Sequence, residues 1–191
     1  MRKTPSHFWL DFFTCFLIPA YTLLFAGSVE WFGTNFSVIA VTGPDHYRGF
    51  VYWGVLAGGF FFVILSRLAF ALPRRSARVL VRLLTVCAVL SLAYAVAIPY
   101  LPEYFPKYAA LHVLLAAGAC VLLMLALLAV LLALRPADPA RWKKPLRAWG
   151  AIVAGSALLF LIPRMVSTAL EVFFTVSTAL LARKIWLLAK F

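Results

Sequence analysis

Acidic residues are scarce in this chain of 191 residues. Asp and Glu together number 6 against 18 Lys and Arg, and charged residues make up only 13% of the sequence. Soluble domains carry about 25% charged and about 45–50% apolar residues, whereas this chain is 65% hydrophobic. The shortage of charge excludes an ordinary water-soluble enzyme and a disordered chain, and it indicates a protein of the lipid bilayer.

Cysteine and histidine are also rare, at three residues each. The cysteines lie within apolar stretches and have no CxxC spacing, which argues against a disulfide framework and a zinc site. His7 is expected on the opposite face of the membrane from His46 and His112, which argues against a three-histidine zinc site and a bis-histidine haem site. We find no Walker loop, HExxH, GxSxG or GxGxxG motif. The sequence therefore predicts neither a metal ion nor a cofactor.

Hydrophobic runs predict an all-α bundle of six membrane-spanning helices, in a single domain that covers residues 1–191. A helix needs about 20 residues to cross about 30 Å of hydrocarbon. The fifth and sixth spans are divided at Pro163 and Arg164, because proline interrupts helical hydrogen bonding and an arginine at mid-bilayer is costly. Thr168 and Glu171 match a capping box at the start of the sixth span. The predicted spans are residues 8–26, 49–72, 79–98, 108–134, 149–162 and 168–188.

The positions of the bases predict how the bundle is oriented. With both termini in the cytoplasm, six spans place 15 of the 18 Lys and Arg on the inner side, against two of the six acidic residues. This satisfies the positive-inside rule at every loop, whereas five spans would leave Arg183 and Lys184 outside. Asp11, at the inner end of the first span, is expected to form a salt bridge with a nearby base or to be exposed at the inner leaflet, and a proton or ion site is the alternative.

This orientation accounts for the net charge of +12 without a nucleic-acid partner. The basic inner loops are expected to contact anionic lipid. Membrane lipids are the expected partners, and a second copy of the chain or another membrane protein is left open. The expected location is a bacterial cytoplasmic membrane.

Small residues mark the places where helices are expected to approach each other closely. Gly54-x-x-x-Gly58 lies in the second span and Gly150-x-x-x-Ala154 in the fifth. This spacing lets helix backbones pack together in a membrane. It predicts a bundle but no particular function.

The long first outer loop, residues 27–48, directs the search for function to the outer face. Loops of this length in a compact protein are often functional, and the apolar residues 36–41 are expected to pack against the bundle or the lipid interface. Ionisable groups near the ends of spans are the first candidates for a site. An arginine there would hold a phosphate or carboxylate. The candidate ligand-binding residues are His46, Arg48, Tyr104, His112, Arg164 and Glu171.

Other roles for these residues stay open at this point. Glu171 could act only as a helix cap, and Arg164 could pair with it if the turn between the last two spans folds back. A Ser–His–Asp set can be drawn from Ser37, His46 and Asp45, but nothing in their spacing selects it. We therefore predict no catalytic residues.

Four residues of this layout occur in a similar arrangement in a known family. Gly43 and Pro44 end the first outer loop, His112 lies in the outer half of the fourth span before a run of small residues, and Glu171 lies early in the sixth. The layout resembles that of the damage-regulated autophagy modulator (DRAM) superfamily, which includes the post-GPI-attachment factors, and of similar bacterial families. The resemblance implies a non-catalytic role in lipid handling or membrane regulation.

Taken from the sequence, the expected function is non-catalytic binding of a lipid or small amphiphile in a polar pocket near the extracytoplasmic face. A transporter component, such as the substrate-binding subunit of a vitamin-uptake system, is one alternative, because such subunits have a similar size and six helices. An intramembrane lipid-modifying enzyme that depends on His112 or His46 is the other.

Overall fold

The computed structural model describes residues 8–189 and contains helices but no strand over that range. The chain is π-helical over Phe12–Leu17, and a short 3-10 turn covers Arg135–Ala137. The helices are α1 (Phe8–Ala26), α2 (Phe36–Ala40), α3 (Pro44–Phe70), α4 (Arg75–Ala97), α5 (Pro106–Leu134), α6 (Pro139–Leu161) and α7 (Thr168–Ala189).

Five of these helices are long and apolar enough to cross a membrane, among the residues that the structure describes. They correspond to five of the six predicted spans: α1, α3, α4, α5 and α7. Large apolar side chains cover their outer surfaces, since Leu24 is 80% and Leu114 69% exposed. An outer surface of this kind suits hydrocarbon better than water.

Helix α6 differs most from its predicted span, residues 149–162, because it begins at Pro139. The ten additional residues, 139–148, contain four bases. These bases were predicted to lie in a loop. Lys and Arg are good helix formers, and the Asp138 side chain caps the helix by accepting a hydrogen bond from the Arg141 N–H (3.1 Å). These bases keep the first half of α6 polar, and α6 is not among the five apolar helices.

The helices run between two ends of the bundle, which are named here by their contents. The loop end carries residues 27–43, and the Ala169 N–H at the start of α7 donates to the Trp31 carbonyl there (3.0 Å). At the opposite end, the basic end, Arg183 Nε lies 2.7 Å from Asp11 Oδ1. The predicted salt bridge of Asp11 is thereby confirmed, and α7 runs antiparallel to α1.

Close helix contacts occur at glycines, though not at every predicted one. A Cβ atom on Gly54 would lie 2.9 Å from Val96 Cγ2, so α3 and α4 approach closely as expected. Gly150 faces open space within 4 Å, and the predicted contact at Gly150-x-x-x-Ala154 is wrong. Gly155 makes the close contact of α6 instead, since a Cβ atom there would lie 2.7 Å from Phe173 Cζ.

Candidate functional site

The loop of residues 27–43 folds back onto the bundle and binds the start of α7. The first N–H groups of a helix have no partner within the helix, and here loop carbonyls supply two of those partners. The Thr34 carbonyl accepts from the Thr168 N–H (2.7 Å) and from the Thr168 hydroxyl (3.0 Å), and the Trp31 carbonyl accepts from the Ala169 N–H (3.0 Å). The loop is therefore an integral part of the bundle.

Glu171 in turn binds the start of the short helix α2. Its Oε2 atom accepts a hydrogen bond from the Phe36 N–H at 2.6 Å. Asn35 caps the same helix by accepting from the Val38 N–H (3.0 Å), and its amide nitrogen donates to the Val166 carbonyl (3.3 Å). A carboxyl oxygen is a suitable partner at a helix N-terminus because free N–H groups converge there. The two chain segments thus cap each other.

This arrangement corrects the predicted capping box. Glu171 does not reach back to the start of its own helix, because its carboxyl group is directed to Phe36. The hydroxyl of Ser167 takes the capping role for α7 by accepting from the Leu170 N–H (3.3 Å). The N-terminal cap of α7 is therefore Ser167, one residue before the predicted Thr168.

His112 binds α2 from the other side and is 3% exposed. Its Nδ1 atom lies 2.8 Å from the Ile98 carbonyl oxygen, and its Nε2 atom lies 2.7 Å from the Ser37 hydroxyl. A carbonyl can only accept, so a neutral ring carries its proton on Nδ1 and leaves Nε2 as the acceptor. The Ser37 hydroxyl therefore donates to Nε2.

The apolar residues 36–41 pack against the bundle, which is one of the two placements predicted for them. Phe36 is fully buried, and its ring makes edge-to-face contacts with the rings of Phe25 (centroids 5.0 Å apart) and Trp53 (5.1 Å). The segment therefore lies against the bundle and brings α2 into the space where a polar pocket was predicted. His112 and Glu171 bind the chain itself there.

The other four candidate residues do not join this cluster. His46 Nδ1 lies 2.6 Å from the Thr42 hydroxyl, in an exposed contact. Arg48 forms an exposed pair with Asp45 (3.3 Å). The remaining two are exposed: Tyr104 and Arg164.

No pairing links Arg164 to Glu171. Over residues 8–189, the ion pairs are Arg48–Asp45 and Arg183–Asp11. Arg164 has a positive φ of 54° in the turn between α6 and α7. The suggested pairing with Glu171 is therefore absent from the described part of the chain.

An apolar groove of about 500 Å³ opens on the outside of α5 at the loop end. Tyr100 is one of the residues that line it, and its ring lies 5.6 Å, centroid to centroid, from the ring of His112. On the other side of Tyr100 is a narrow cavity beside Ser37 and His112, without room for a water molecule. The groove is lined by Tyr100, Pro102, Pro106, Ala109, Ala110, Val113, Leu114 and Ala117.

Sequence reasoning missed this groove and the pairing of Ser37 with His112. Ser37 is the one hydroxyl residue in the apolar run 36–41, which was the available signal. The set drawn from Ser37, His46 and Asp45 does not form, because His46 contacts Thr42 and Asp45 contacts Arg48. Within residues 8–189, no three His, Cys, Asp or Glu side chains lie together in a way that could hold a metal ion.

The comparisons with known proteins identify no relatives. Neither protein-family models, nor curated proteins, nor solved structures gave a match to this chain. The assignment of a function therefore depends on the geometry of the loop end.

Proposed function

We propose that this chain is a six-span membrane protein, with both termini in the cytoplasm, that holds a lipid acyl chain in the apolar groove beside Tyr100. The sixth span is α6. It must run from the basic end, where α5 ends, to the loop end, where α7 begins. Its 23 residues give a length of about 34 Å, comparable with the hydrocarbon core. The bases of its first half lie at the basic end, where long side chains can extend to the interface.

The orientation follows from the charge difference between the two ends. Cytoplasmic loops collect Lys and Arg, which supports an orientation with the basic end in the cytoplasm and the loop end on the opposite side of the membrane. The bases at the basic end include Arg67, Arg74, Arg75, Arg78, Arg82, Arg141, Lys143, Lys144, Arg147, Arg183 and Lys184.

The groove is the observation that supports lipid binding. From Pro106 to Ala117 it follows α5 for about 16 Å, and apolar groups line it, as an acyl chain requires. Tyr104 and Lys107 are exposed, and both lie within two positions of Pro106, which lines the groove. An ammonium group there suits the phosphate of an anionic phospholipid, so we assign the headgroup to this position. The resemblance to the DRAM superfamily, with its implied role in lipid handling, agrees with this proposal but has no other support.

Native mass spectrometry from nanodiscs of a defined anionic phospholipid tests the proposal. The wild-type protein is expected to retain the lipid, and Ala117→Trp, which fills the groove, is expected to lose it. Ala151→Trp is the matched control, because Ala151 is an exposed alanine on the outside of α6. Equal retention by the two tryptophan variants, or no retention by the wild type, would refute lipid binding in this groove.

The transporter alternative is supported only by size and helix number. The lipid-modifying alternative has a specific observation behind it, the contact between Ser37 and His112.

A further inference from the structure

The contact between Ser37 and His112 has the geometry of an activated nucleophile. Such a pair needs a hydroxyl within about 2.6–3.2 Å of a basic nitrogen, and a third group that orients the base. The Ser37 hydroxyl lies 2.7 Å from Nε2, and the Ile98 carbonyl fixes Nδ1 at 2.8 Å. The ring is therefore held in the tautomer whose free lone pair is directed at the hydroxyl.

The position of the pair suggests the class of substrate. Tyr100 lines both the apolar groove and the narrow cavity that Ser37 and His112 line, and its ring lies 5.6 Å from that of His112. Ala109 and Val113, which line the groove, are close to His112 along α5. An acyl chain lying in the groove would therefore end near Tyr100. Movement of the Tyr100 ring would bring the carbonyl end of that chain to Ser37.

We propose that Ser37 and His112 form an acyl-transfer site for a lipid ester. This inference rests on the proposed function, because the same groove holds the acyl chain. In the first step Ser37 Oγ bonds to the ester carbonyl carbon, and its proton passes to His112 Nε2. The bond from that carbon to the alcohol oxygen then breaks, and the alcohol leaves with the proton from Nε2.

Water completes the reaction. Once the Tyr100 ring has moved, the oxygen of a water molecule bonds to the acyl carbon and its proton passes to His112 Nε2. The bond between the acyl carbon and Ser37 Oγ then breaks, and Nε2 returns the proton to Ser37. The products are an alcohol and a carboxylic acid, and no oxidant or reductant is required.

A second hydroxyl–imidazole contact at the same end provides an internal control. The Thr42 hydroxyl lies 2.6 Å from His46 Nδ1, which is as close as the Ser37 hydroxyl lies to His112 Nε2 (2.7 Å). Their contact is exposed, and neither residue lines the groove. A reagent that merely detected any hydroxyl beside a histidine would react at both places.

Labelling with a long-chain alkyl fluorophosphonate tests the proposal on the full-length protein in detergent. We expect the reagent to modify Ser37, as located by peptide mass spectrometry. Ser37→Ala and Ser37→Cys should abolish labelling at this position, and His112→Gln should slow it by on the order of 100-fold or more. His46→Gln should leave the rate unchanged. Ser37→Cys preserves a small polar side chain in the loop, which guards against loss of the fold.

Hydrolysis of p-nitrophenyl laurate and p-nitrophenyl acetate gives the second measurement. Ala117→Trp should slow hydrolysis of the laurate more than that of the acetate, because only the longer chain needs the groove. A folded wild-type protein that is neither labelled at Ser37 nor hydrolyses the laurate above the Ser37→Ala level would overturn the proposal.

The two proposals fail in different ways. Retention of phospholipid without labelling would refute the acyl-transfer site and leave lipid binding intact. Labelling of Ser37 without phospholipid retention would refute the proposed function. Equal slowing of laurate and acetate hydrolysis by Ala117→Trp would refute the link between the site and the groove.

Discussion

Glu171 is expected to control whether the first outer loop stays docked on the bundle. Its Oε2 atom is the acceptor for the Phe36 N–H, at 2.6 Å, in a fully buried part of the loop. Leucine has a similar volume but cannot accept a hydrogen bond, so Glu171→Leu leaves that N–H without a partner. An unsatisfied buried donor costs about 1–3 kcal/mol. Glutamine retains an acceptor oxygen, so Glu171→Gln should cost about 1 kcal/mol or less.

Hydrogen exchange of the amides in residues 31–41 measures this cost directly. If these amides exchange through undocking of the loop, Glu171→Leu should accelerate their exchange about 5- to 150-fold, and Glu171→Gln by about fivefold or less. Glu103→Gln provides the control, because Glu103 is exposed at the same end of the bundle and should leave these rates unchanged. Wild-type exchange rates in Glu171→Leu would show that the contact to Phe36 does not hold the loop.

Two further predictions concern the bundle and the turn before α7. Gly155→Ala should lower the midpoint of thermal unfolding in detergent, because its Cβ atom would lie 2.7 Å from Phe173 Cζ and overpacking costs about 1–3 kcal/mol. Gly150→Ala is the control, because the space around Gly150 is open, and it should keep or raise the midpoint. A lower midpoint for Gly150→Ala than for Gly155→Ala would contradict this packing. Arg164 has φ of 54°, a conformation that glycine adopts freely and β-branched residues resist. Arg164→Gly should therefore keep the unfolding midpoint while Arg164→Val lowers it, and equal midpoints would argue against a left-handed residue there.

The positions of the apolar helices were predictable from the sequence because hydrocarbon imposes a simple requirement. A run of about 20 apolar residues satisfies that requirement by itself, without knowledge of its neighbours. The break at Pro163 was predictable for the same reason, since proline acts locally on the helix. It falls between the end of α6 at Leu161 and the start of α7 at Thr168.

The start of α6 and the partner of Glu171 could not be obtained in this way. Lys and Arg at a membrane surface are compatible with a loop and with a helix. The local feature that favours a helix here is a single side chain, Asp138, which caps the start of α6. Glu171 follows Thr168 at the spacing of a capping box, so the local pattern favoured its own helix. Its actual partner, Phe36, lies 135 positions away in the chain, and only the docked loop brings the two together.

The scarcity of charge also explains why the loop end has one arrangement of its polar groups. Glu171 and His112 bind consecutive residues, Phe36 and Ser37, from helices α7 and α5. Each buried polar group that lost its partner would cost free energy. Because so few polar side chains are present, few alternative pairings exist, and those that form fix the position of α2. The Ser37 hydroxyl is consequently held at His112 by contacts from both sides of the loop.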